Sequence, residues 1–279
     1  MNKKRPFYEV PLSYPVDYSQ EVQVQRNIPY LEEDDPVARM DIYLPPGEVP
    51  AGGYAPVLFL HGGPLPDTVE RPWPKEWRVF QDYGILAAAN GLAGVVINHR
   101  YIGYEGLVQA MADVQQAQYF LADRGADFGL NRHNIALWAF SGAGMLLSAL
   151  LREEMNTLSC LVAFYPMLDL THIPQAADAY SDEELIALSP LSHIETIPAS
   201  LSMYLARAGR DRPGLNRALD TFVKQALYHN LDLEVRNLAH SGHGFDMFEE
   251  LAVVQQTVQH GLDFILFHLE RNKDNGVSL

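Results

Sequence analysis

The chain has 279 residues, 48% of them hydrophobic and 20% charged, a balance that suits a soluble protein with a buried core and excludes a disordered one. Its 35 acidic against 20 basic side chains leave a net charge of −15, which argues against nucleic-acid partners and anionic membrane surfaces. One cysteine, Cys160, excludes an intrachain disulfide, and in the run Leu158-Ser-Cys-Leu-Val-Ala-Phe164 it reads as a small core hydrophobe.

The first thirty residues, rich in Pro, Tyr and acidic groups, have no clear period and read as an extended arm (1–30) ahead of a single domain (31–279). The basic Lys3-Lys4-Arg5 has no apolar stretch behind it, so no secretory signal is expected and a cytoplasmic location is. Residues 22–28 and 38–44 alternate as half-buried strands do, and Pro45-Pro46-Gly47 marks a turn. Residues 57–60 form a short, wholly apolar strand that runs into His61-Gly62-Gly63-Pro64. A helix is predicted at 76–89, ending at Asn90-Gly91, followed by a buried strand at 95–98 and a second helix at 104–124. Residues 135–140 are a third apolar strand ending at Ser141, with a small-residue helix after it; Ser141, Gly142 and Gly144 interrupt this region too often for a membrane span. Further strands are predicted at 161–164, 201–206 and 231–238, with helices at 214–229 and 251–269. This alternation implies an α/β fold, a mostly parallel central sheet with helices on both faces and an antiparallel start. Residues 171–198 read as a small cap insertion over one end of the sheet.

In such a sheet, ligands bind where strands end at their carboxyl termini, and four chemistry-bearing segments fall there. They are His61-Gly62-Gly63, Ser141, Asp211 and His243. A serine hydroxyl becomes a nucleophile when a neighbouring imidazole takes its proton, and a carboxylate orients that imidazole. Ser141, His243 and Asp211 are the candidates for these roles. The N–H groups of Gly142 and Gly63, with Gly62 second in its loop, are candidates for an oxyanion hole, since Pro64 has no N–H to offer. His240 competes with His243, and Asp169 with Asp211; the glycines around His243 and the Ala208-Gly-Arg-Asp211 context favour His243 and Asp211. His240-x-x-His243 has no third ligand near it, so no metal is expected. His61 reads as a loop-shaping hydrogen bonder and Arg100 as an ion-pair strut. At the turn, Ala139 and Ala143 stand where a Gly-x-Ser-x-Gly elbow carries glycine.

Five runs in this order resemble the α/β-hydrolase superfamily, in its esterase/lipase branch of acetyl-esterase, hormone-sensitive-lipase-like and dienelactone-hydrolase-like proteins. They are Met40-Asp-Ile-Tyr-Leu-Pro-Pro-Gly47, Val57-Leu-Phe-Leu-His-Gly-Gly63, Asn131-Arg-His-Asn-Ile-Ala-Leu-Trp-Ala-Phe-Ser-Gly-Ala-Gly144, Ala208-Gly-Arg-Asp211 and Gly242-His-Gly-Phe245. The resemblance implies a cofactor-free carboxylesterase that works through an acyl-enzyme. With no long apolar lid in the sequence, small soluble esters are the expected substrates, and the arm and the 171–198 insertion are the expected walls of the pocket. An amide or peptide hydrolase on the same fold, formamidase- or aminopeptidase-like, and a non-catalytic binding protein are the alternatives. Oligomeric state is left open.

Overall fold

The computed structural model describes residues 5–19, 21–66, 72–151 and 158–274. Eight strands, β1 (Gln23–Pro29), β2 (Arg39–Leu44), β3 (Pro56–Leu60), β4 (Ala93–Ile97), β5 (Ile135–Phe140), β6 (Leu158–Phe164), β7 (Ser202–Ala208) and β8 (Leu233–Leu238), form one sheet. Their order is β1-β2-β4-β3-β5-β6-β7-β8. β1 with β2 and β2 with β4 are antiparallel, and all other pairs are parallel.

The apolar runs that read as buried strands alternate between two cores. Leu58, Leu60, Leu137 and Ala139 point to one, beneath α2 (Leu107–Arg124) and α5 (Pro213–Tyr228). Val57, Phe59, Trp138 and Phe140 point to the other, against α1 (Arg78–Ala89) and α7 (Ala252–Asp274). Both faces of the central strands are therefore covered, which is why these strands read as apolar throughout. Cys160 is buried in the second core, where burial pushes its thiol pKa up.

Three details differ from the sequence reading. Within residues 1–30, Gln23–Pro29 is the strand expected at 22–28, whereas the described segment before it is docked rather than loose. Leu12 N–H and Tyr18 O–H donate to the Asp82 carboxylate (3.1 and 2.8 Å), and Ser13 N–H to the Asp246 carbonyl (2.6 Å). After Ser141 the chain makes a 3-10 turn (Ser141–Leu146) and then only a short α3 (Leu147–Leu150), because Gly142 and Gly144 are poor helix formers pressed against other backbone. The 171–198 insertion contains α4 (Asp182–Leu188), and its Leu185, Ile194 and Ile197 join the α2/α5 core.

Candidate active site

The four suspected segments meet on the carboxyl edge of the sheet. β3 and β5 are neighbours, so the His61 loop lies beside Ser141; β7 and β8 are neighbours, so the loops of Asp211 and His243 run together. Gly209 N–H donates to Leu238 O (2.8 Å) and Arg210 N–H to Ser241 O (2.9 Å), pinning the acid loop to the histidine loop.

Ser141 has φ +54°, a left-handed backbone that a non-glycine residue adopts at a cost of about 1–3 kcal/mol and that surrounding structure must enforce. The enforcement comes from the glycines next door. A methyl built on Gly142 falls 1.8 Å from Gly63 O, and one on Gly144 falls 2.3 Å from Met167 O. Ala139 and Ala143 are fully buried in the core, so the close backbone approach that an elbow needs is carried here by Gly142 and Gly144 instead.

Ser141 Oγ lies 2.6 Å from His243 Nε2, and His243 Nδ1 lies 2.5 Å from Asp211 Oδ2. The carboxylate can only accept, so Nδ1 carries the hydrogen and Nε2 presents its lone pair to the serine O–H. Asp211 is 3% exposed and His243 31%, so the acid is shielded while the imidazole faces the cleft. The rival residues lie elsewhere: His240 is exposed, and Asp169 accepts from Thr171 N–H and O–H (2.8 and 2.7 Å). Arg100 is an ion-pair strut between Asp113 and Asp35, at 2.5 and 2.8 Å.

On the oxyanion side, Gly62 faces Ser141, with a built methyl 3.1 Å from the serine Cβ, and the Gly63 backbone abuts Gly142. Among the described residues neither the Gly62 nor the Gly63 N–H is used in the backbone hydrogen bonding of the loop. The loop is braced from behind by two buried, stacked histidines, His61 and His99, with ring centroids 3.6 Å apart. His61 Nδ1–H donates to Gly62 O (2.7 Å), and His99 Nε2–H donates to His61 O (2.9 Å). Burial pushes His99 down to about 4, and burial together with the neighbouring imidazole holds His61 well below the usual range. Protons enter the unfolded chain near the ordinary 6.5 but enter the folded chain at His99 only near 4. Stability is therefore complete above pH 6.5 and declines toward pH 4, by about 3 kcal/mol for His99 alone. Urea midpoints should drop over that window, and His99→Gln should flatten the slope.

The reading of the sequence missed His99 and a second buried acid, Asp246. The Asp246 carboxylate accepts from Tyr83 O–H (2.8 Å) and from Tyr165 O–H, and the Tyr165 ring packs 4.6 Å from the His243 ring. Burial raises the Asp246 pKa, and the two phenol donors oppose that shift. Its place three residues after His243 was the one available signal; the tyrosines come from distant segments.

A cavity of about 240 Å³ opens beside Ser141, walled by Phe7, Trp77, Phe80, Phe140, Met247 and Phe248. The arm supplies Phe7, as expected, but none of its described lining comes from residues 171–198. That insertion packs toward the other face of the sheet. Among the described residues no cluster of three or more His, Cys, Asp or Glu is disposed to hold a metal, and no helix is long and apolar enough to cross a membrane.

The chain belongs to the BD-FAE family, whose model matches residues 40–215; that span holds Ser141 and Asp211, and His243 lies beyond it. Solved structures similar to it include esterase B from Lactobacillus rhamnosis inhibited by a C4-C4 SN3 tributyrin phosphonate (TM-score 0.74, 14% identity, 94% of this chain and 90% of that one). Thermogutta terrifontis esterase 2 phosphoramylated by tabun is also similar (TM-score 0.67, 18% identity, 90% and 97% covered). So is a thermostable esterase from Pseudomonas putida (TM-score 0.68, 16% identity, 92% and 86% covered). No curated protein matches the chain by sequence.

Proposed function

We propose that the protein hydrolyses small, short-acyl carboxylic esters through an acyl-enzyme formed on Ser141. The observation that carries this reading is the unbroken Ser141–His243–Asp211 relay at the mouth of an apolar cavity. Ser141 Oγ attacks the ester carbonyl as His243 Nε2 takes its proton, and Asp211 holds the tautomer and stabilises the imidazolium. The N–H groups of Gly142 and Gly63, with Gly62 next, hold the tetrahedral oxyanion. The alcohol leaves with the proton from His243; water then attacks the acyl-serine, giving its proton back through the same imidazole. The neighbours inhibited by a tributyrin phosphonate and phosphoramylated by tabun support an activated nucleophile on this fold.

A fluorophosphonate should add its phosphonyl mass to the wild-type protein at Ser141, and a short-chain aryl ester should be cleaved far faster than the matching anilide. Absence of labelling, or faster anilide cleavage, overturns the reading in favour of a binding protein or an amidase. The cavity also limits acyl length. Phe7 stacks edge-on against Trp77 (4.9 Å) and lies 5.9 Å from Phe248, closing the outer end. In an acyl-chain series, activity should fall beyond about six carbons. Phe7→Ala should extend the tolerated length and leave acetate esters little changed; a wild-type preference for long chains contradicts the assignment.

A further inference from the structure

A second cavity, of about 480 Å³, lies beside the Asp211 loop on the α2/α5 side of the sheet and is lined by Tyr104, Asp169, His172, Arg212 and Arg217 among others. Its walls hang from the site already described. Arg212 N–H donates to Asp211 Oδ1 (2.7 Å). Asp169 lies two residues past Met167, whose N–H binds the Ser141 carbonyl (2.9 Å). Tyr104 packs edge-on to Tyr101 (6.4 Å), and the Tyr101 ring covers Gly63. The apolar cavity holds Ser141 and His243, and the second, with charged walls, adjoins the relay through Arg212, the residue after Asp211.

The charge in the second cavity runs against that of the molecule. On a chain of net charge −15, it gathers two guanidiniums against one carboxylate. That carboxylate, Asp169, is already occupied by the two Thr171 donors. Among the described residues the Arg212 guanidinium, 65% exposed, has one long ion pair, 3.9 Å, to an Asp211 that serves His243. Arg217 has no ion pair among the described residues. Guanidiniums left free in a concave site are suited to an anion, above all a planar carboxylate.

Building on the esterase reading, we infer that this cavity receives the alcohol half of the substrate and selects esters whose leaving group carries a carboxylate. The acyl group then occupies the apolar cavity and the anionic alcohol the cationic one. No part of the relay is asked to change.

The test is a matched pair of acetyl esters, 4-acetoxybenzoate and its neutral isostere 4-acetoxybenzamide, with 4-acetoxyphenylacetate to probe reach and 4-acetoxybenzenesulfonate to separate charge from planar pairing. The acid should have a KM about three- to tenfold below that of the amide at similar kcat, with the advantage shrinking in high salt. Arg217→Gln should raise KM for the carboxylate esters and leave hydrolysis of the neutral acetyl ester unchanged, whereas Asp169→Asn should lower KM for the acids. A sulfonate bound as well as the carboxylate narrows the selection to charge alone and overturns the planar pairing. Equal KM for acids and amide in the wild type, or variants that move both alike, overturns the subsite. Activity surviving in Ser141→Ala would instead overturn the esterase reading on which it rests.

Discussion

Ser141→Ala should lower kcat/KM toward a short-chain aryl ester by about four to six orders of magnitude while leaving the melting temperature near that of the wild type. The hydroxyl is the only group the substitution removes, and its 2.6 Å contact with His243 Nε2 is not part of either hydrophobic core. His243→Ala should lose as much, and the double variant no more than either single one, because residues that act as a unit do not add. Asp211→Asn should cost about 10⁴, since an amide facing Nδ1 favours the wrong tautomer. His240→Ala is the control. That side chain is exposed, three residues away along the chain, and its loss should leave the rate unchanged. Steady-state kinetics on the five variants decide the matter: wild-type activity in Ser141→Ala, or a dead His240→Ala beside an active His243→Ala, defeats the assignment.

Gly142→Ala should be damaging too, though less so, for a steric reason. The added methyl would sit 1.8 Å from Gly63 O and 2.7 Å from Gly63 N, inside backbone that has no rotamer to change. Either the His61–Pro64 loop moves away or Ser141 leaves its left-handed conformation, and in both cases an oxyanion donor is lost. A drop of about 10²–10³ in kcat is the expected scale for one such donor, with KM less affected. Gly214→Ala provides the comparison. It lies in the first turn of α5 with no atom within 4 Å of the built methyl, so it should be neutral or stabilise by up to about 1 kcal/mol. Full activity in Gly142→Ala would show that the two backbones do not meet as described.

The sequence alone determined the α/β alternation and its antiparallel start, because strands covered on both faces must be apolar at every position, as Val57 to Leu60 and Ile135 to Phe140 are. Strand boundaries were legible to within about two or three residues, since period and punctuation mark elements but not hydrogen-bond ends. It also marked a serine, an acid and a histidine after separate strands as candidates, and the arm as a wall of the pocket, without singling out Phe7, which lines the cavity. Choosing among near neighbours required tertiary structure. His243 and His240 are both polar residues of one loop, and only the left-handed turn at Gly244 and the docking of that loop on the Asp211 segment aim one of them at the serine. The same holds for Asp211 over Asp169. The tight backbone contact at Gly142 and Gly144, the His61–His99 stack, Asp246 between two tyrosines and the siting of the 171–198 insertion away from the apolar cavity had no local signature. Each joins segments far apart in the chain, and pattern within a segment reports what it buries, whereas a site is decided by which segments the sheet order brings together.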